Sequence, residues 1–77
     1  MDKIAKFLAH LRPKEKKVIL AVLQDVKILN VSSYDVKALS GEKGVFRIRK
    51  GAIRIIFKRK GSQGLLLDVV YRKDAYK

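Results

Sequence analysis

The sequence predicts an α+β domain in which an N-terminal αα-hairpin packs on a small antiparallel β-sheet of about three strands. Apolar residues recur at spacings of three and four between Ile4 and Leu29, as in helices with one buried face. From Val45 the spacing changes to two, as in strands that bury alternate side chains. Glycine-bearing turns at Gly51-Ala52 and Gly61-Ser62-Gln63-Gly64 divide this second half into hairpins. Seventy-seven residues leave room for one domain, residues 1–77, and one core.

The first helix is expected over 2–12. Asp2 serves as its N-cap, and Ile4, Phe7, Leu8 and Leu11 form its apolar stripe. Arg12-Pro13 ends it, because a residue before proline avoids the α region. Pro13 suits the first turn of a second helix at about 13–29, with Ile19, Val22, Leu23, Val26 and Leu29 buried. Lys14, Lys16, Lys17 and Lys27 are left to solvent. Asn30 to Gly44 reads as a connector in which Val36 and Leu39 seal the sheet edge. Strands follow at about 45–50, 53–60 and 65–72, the last with Leu65, Leu67, Val69 and Tyr71 towards the core. That register puts Asp68 and Arg72 on the opposite face.

The charge is uneven. Nineteen Lys and Arg against seven Asp and Glu give +12, well beyond what solubility needs, and imply a polyanionic partner. Residues 45–60 alone carry seven basic residues and no acidic one. In the first strand Phe46 and Ile48 share one face while Arg47 and Arg49 share the other. In the second, Ile53, Ile55 and Phe57 continue the apolar face, and Arg54, Ile56 and Lys58 the basic one. A solvated charged face is the plain alternative, but charges confined to one side of a patterned hairpin favour phosphate binding.

Several chemistries are excluded by inventory. Without cysteine there is no thiolate nucleophile, disulfide or thiolate-bound zinc, and one histidine makes no multi-histidine metal site. The seven carboxylates are scattered singly, and the five glycines fall at turns rather than in a phosphate-binding loop. No cofactor or metal is therefore expected. His10 reads as an exposed or half-exposed residue of a lysine-rich helix. The longest apolar run, Val18 to Leu23, is too short for a bilayer, and Met1-Asp2-Lys3-Ile4 lacks a signal-peptide core. A soluble cytoplasmic protein without a membrane partner is expected.

A basic face can still be catalytic when the substrate brings its own nucleophile. The 2′-hydroxyl of RNA attacks the adjacent phosphorus once it is deprotonated, aligned, and the developing charge is stabilised. Guanidinium groups suit that last task, being planar, multidentate and permanently cationic. Proton transfer would fall to Tyr76, Lys50 or Lys58.

The residues also carry a resemblance. Leu39-Ser40-Gly41, the run Gly44-Val45-Phe46-Arg47-Ile48-Arg49-Lys50-Gly51-Ala52-Ile53-Arg54-Ile55-Ile56-Phe57, and Val69 to Lys77 with Arg72-Lys73-Asp74-Ala75-Tyr76-Lys77 resemble the RelE/ParE toxin superfamily of toxin–antitoxin systems. The pattern spans about residues 3–77. The resemblance implies a RelE-like, microbial-RNase-type fold and a toxin that cuts mRNA in the ribosomal A site, leaving a 2′,3′-cyclic phosphate and a 5′-hydroxyl. By the same resemblance, Arg54 and Arg72 stabilise the scissile phosphate, and Tyr76 stacks on a base or activates the 2′-hydroxyl. Arg47 and Arg49 occupy the family's paired basic positions; with Lys50 and Lys58 they bind RNA. Arg54 has a structural alternative, a cross-sheet pair with Asp68, and Tyr76 another, a frayed terminal residue.

The partners implied are a cognate RelB-like antitoxin, the ribosome and mRNA. Family members usually begin with a strand, whereas this chain begins with a helix, so the sheet is expected to be one strand short, with an edge open to an antitoxin or a second copy. Arginine in place of lysine at positions 47 and 49 argues against proton transfer there, and the chain ends just after Tyr76 without a C-terminal helix. The ParE branch offers a different target, DNA gyrase, and an inactive nucleic-acid-binding domain is a third reading.

Overall fold

Two helices pack against a four-stranded antiparallel sheet in a computed structural model that describes residues 3–39, 41 and 43–71. Helix α1 spans Lys3–Ala9 and α2 spans Pro13–Lys27. Strands β1 (Asp35–Ala38), β2 (Val45–Lys50), β3 (Ile53–Lys60) and β4 (Gln63–Tyr71) follow, in the spatial order β1-β2-β3-β4. The α+β class and the helical hairpin are as the sequence predicts. The sheet has a strand more than expected, because β1 forms within the connector. Its four residues hold a single side chain, Val36, that packs on the core, too short an alternation to be read from sequence.

Local chemistry explains the boundaries. After Ala9 the chain tightens, with His10 and Leu11 donating backbone bonds of 3.2 Å to the carbonyls of Phe7 and Leu8. Arg12 is extended, at φ −64° and ψ 151°, as its position before Pro13 demands. Helix α2 ends at Lys27 rather than Leu29, in a Schellman arrangement: Asn30 N–H bonds the Asp25 carbonyl at 2.8 Å and Leu29 N–H the Val26 carbonyl at 3.0 Å. Leu29 takes the left-handed position at φ 57°, a place glycine usually fills. Its side chain packs on the core instead, which offsets part of that strain. The hairpin turns place Gly51 at φ 59° and Gly61 at φ 61° as the first of two loop residues, the pattern of type II′ turns.

The core lies between α2 and the sheet. Ile19, Val22 and Val26 meet Ile48, Ile53, Ile55, Phe57 and Val69, all at most 2% exposed. Phe46 and Phe57, paired across β2 and β3, stack with ring centroids 5.6 Å apart. Phe7 sets α1 against the end of β4 through Tyr71, centroids 5.0 Å apart. One expectation is corrected in β4: Leu65 and Leu67 do not face the core. A β-bulge pairs Ile56 with Asp68 but Phe57 with Leu66, so Leu67 is the extra residue. The side-chain alternation reverses across it. Leu66 is drawn to the core, Val69 and Tyr71 remain there, and Leu65 and Leu67 are exposed.

A side-chain contact ties the connector back to α2. The Tyr34 hydroxyl donates to the Asp25 carboxylate of α2, and Lys50 Nζ lies 6.0 Å from the Tyr34 ring centroid. The hydrogen bond, then desolvation, then the carboxylate charge raise the phenol pKa above 10.0. Its contribution is therefore complete below about pH 10 and is lost as the pH rises through the folded value. Tyr34→Phe is expected to cost about 0.5–1 kcal/mol at neutral pH and to flatten the alkaline decline, read from urea midpoints between about pH 7 and 11.

Candidate nucleic-acid interface

Strand alternation and register assemble the basic face. On the side of the sheet away from α2, one cross-strand row runs Lys37, Arg47, Ile56, Asp68, and the next runs Asp35, Arg49, Arg54, Val70. Arg49 and Arg54 stand directly opposite each other, a like-charge pair that costs stability when nothing lies between them. Lys58 is on the same face, farther along, opposite Val45. An open cleft of about 740 Å³ lies over this face, lined by Arg47, Arg54, Ile56 and Asp68 from the sheet and by Lys3, Lys6 and His10 from the α1 segment.

Arg47 is the unusual member. Only 6% of it is exposed, and its Nη1 is buried without a hydrogen-bond partner among the described residues. Guanidinium does not shed its charge on burial, so the fold carries that charge at a cost. Asp68 does not neutralise it: its Oδ1 accepts the Val69 N–H at 2.9 Å, and its Oδ2 lies 3.9 Å from Lys3 Nζ. The register sets Asp68 opposite Ile56, while Arg54 faces Val70. The Lys3–Asp68 pair is largely solvated, and Lys3→Ala is expected to shift the thermal midpoint by no more than about 0.5 kcal/mol equivalent.

Arg47, Arg49, Arg54 and Lys58 thus share one face, as their spacing predicts. Lys50 does not join them. The alternation that buries Ile48 carries Lys50 to the helical side, beside Tyr34 and the Lys14 end of α2. Arg72 and Tyr76 lie outside the described residues. Sequence reading missed the contribution of α1. Lys3, Lys6 and His10 fall at i, i+3 and i+7, a basic stripe that the Phe7–Tyr71 contact turns towards the cleft. The stripe is visible in the spacing; its destination is not.

Among the described residues, no group of three or more His, Cys, Asp or Glu is placed to hold a metal ion. No helix among them is long and apolar enough to cross a membrane.

Fold and face together define a small α+β protein that gathers its positive charge on an open sheet. The chain is similar in structure to a chain of the crystal structure of the RelB-RelE antitoxin-toxin complex from Methanococcus jannaschii. The TM-score is 0.70 and the identity 28%, over 99% of this chain and 92% of that one. No protein-family model matches the chain, and no curated protein matches it significantly.

Proposed function

We propose that this chain is the toxin of a toxin–antitoxin system and that it inhibits translation as a ribosome-dependent mRNA endoribonuclease in the cytoplasm. The observation that carries the reading is Arg47, a buried guanidinium whose Nη1 has no partner among the described residues, in a cleft shared with Arg54. Such a group is costly to keep unless an anion completes it. The likeness to a RelB-RelE complex chain supports placement in a toxin–antitoxin pair. A net charge of +12 favours the nucleic-acid-directed member of the pair, with an acidic antitoxin segment folding onto the same face.

In this reading the RNA phosphates bind along the two cross-strand rows. Arg47 and Arg49, with Lys58 farther along, hold the flanking phosphates. Arg54 and Arg72 stabilise the charge that builds on the scissile phosphate as its 2′-hydroxyl attacks, and Tyr76 stacks on a base or assists the attack. Guanidinium groups preset on adjacent strands need no rearrangement as that charge develops.

The test maps mRNA 5′ ends after the purified chain is added to a reconstituted translation reaction, beside an Arg54→Ala variant. Ribosome-dependent cuts within codons, reduced about 100-fold or more in the variant, are expected. Intact message overturns the nuclease reading and directs the next assay to DNA gyrase supercoiling.

A further inference from the structure

We propose that His10 is the general base of the cleft, taking the proton from the 2′-hydroxyl of bound RNA; the inference rests on the nuclease reading above. His10 lies one residue beyond α1, and its Nδ1 is 2.8 Å from the carbonyl oxygen of Lys6. A carbonyl only accepts, so Nδ1 carries the hydrogen. In the neutral ring the lone pair is then on Nε2, and His10 is one of the residues that line the cleft with Arg47 and Arg54. The carbonyl bond fixes both the tautomer and the ring orientation, as a positioned base requires.

The other charged groups facing the cleft are less suited to the task. Lys3 and Lys6 from α1, Arg47 from β2 and Arg54 from β3 are cationic donors. The Asp68 carboxylate from β4 is engaged by the Val69 N–H and faces Lys3. His10 supplies the imidazole among the described residues that line the cleft.

The step balances without a cofactor. Nε2 accepts the 2′-hydroxyl proton as the O2′–P bond forms and the P–O5′ bond breaks with its electron pair. The departing O5′ takes a proton from water, and the imidazolium returns its own to the hydroxide left behind. The products are a 2′,3′-cyclic phosphate and a 5′-hydroxyl.

His10 also caps a carbonyl at the end of α1, so the test separates that role from catalysis. In His10→Gln the side-chain amide still donates to the Lys6 carbonyl but cannot take up a proton. Single-turnover cleavage of ribosome-bound message is measured from about pH 5.5 to 8.5 for the wild type, His10→Gln and His10→Ala, with thermal midpoints recorded alongside. The expected result is a loss of about 100-fold or more in both variants at neutral pH. The acid-side fall of the wild-type rate disappears in both, and the His10→Gln midpoint is unchanged. Cleavage by the wild type with an equal rate and pH profile in His10→Gln overturns the role of His10 alone. No cleavage by the wild type at any pH overturns the nuclease reading, and the proposed base falls with it.

Discussion

Arg47→Met is expected to make the protein more stable while removing phosphate binding from the cleft. The guanidinium is nine-tenths buried, with Nη1 unpartnered among the described residues. A thioether of similar length fills the space without a charge to desolvate. The gain is about 1–3 kcal/mol, read as a higher urea midpoint with an unchanged slope. Binding to single-stranded RNA should weaken on every sequence alike. The slope of log affinity against log salt should flatten by about 0.7, because one phosphate is no longer neutralised by the protein. Arg49→Met supplies the comparison. Arg49 is exposed, so its replacement relieves only the repulsion with Arg54 and gives a smaller gain. Should Arg47→Met instead lose several kcal/mol, the guanidinium would be a structural group and the anion-site reading would fail.

Gly64→Ala is expected to produce the largest loss of stability. A Cβ at this position would sit 2.1 Å from the Val26 carbonyl oxygen, a backbone atom of α2 with no side-chain freedom to yield. The helix would have to lift from β4 and take Val22 and Val26 out of the core. The cost is about 3 kcal/mol or more, at the upper end of overpacking penalties. A chain of this length has only roughly 4–12 kcal/mol in total. Ser62→Ala, two residues earlier in an exposed turn, should change stability by less than about 0.5 kcal/mol. Urea unfolding of the two variants side by side decides the matter, and near-equal midpoints would contradict the close approach of α2 to β4.

The central hairpin is the most legible part of the molecule. Within β2 and within β3 the alternation is regular, and the turn between them carries Gly51 where positive φ is needed. Arg47, Arg49, Arg54 and Lys58 lie on the expected face, Lys50 alone of the basic residues named for RNA falling on the other. Arg47, Arg49 and Arg54 come together for that reason alone. Strand β4 is half legible. Alternation counted back from Tyr71 places Val69 correctly, but fails before the bulge, where Leu67 has no partner on β3. Periodicity assumes uninterrupted pairing, and β4 does not supply it. Strand β1 leaves little trace in the sequence, because four residues with one packed valine draw their stability from pairing with β2.

Local sequence dictates two helices with a proline-set junction, a pair of glycine hairpins, and an arginine face opposite an isoleucine face. These features depend on residues a few positions apart, where φ/ψ preferences and side-chain periodicity act directly. Packing between distant elements set the rest. It turned the Lys3, Lys6 and His10 stripe to the cleft, buried Arg47 and left no room for a side chain at Gly64. Each of these depends on strand register or helix placement, which residues far apart in the chain decide between them. Burial and charge proximity emerge from that packing, which no local pattern encodes.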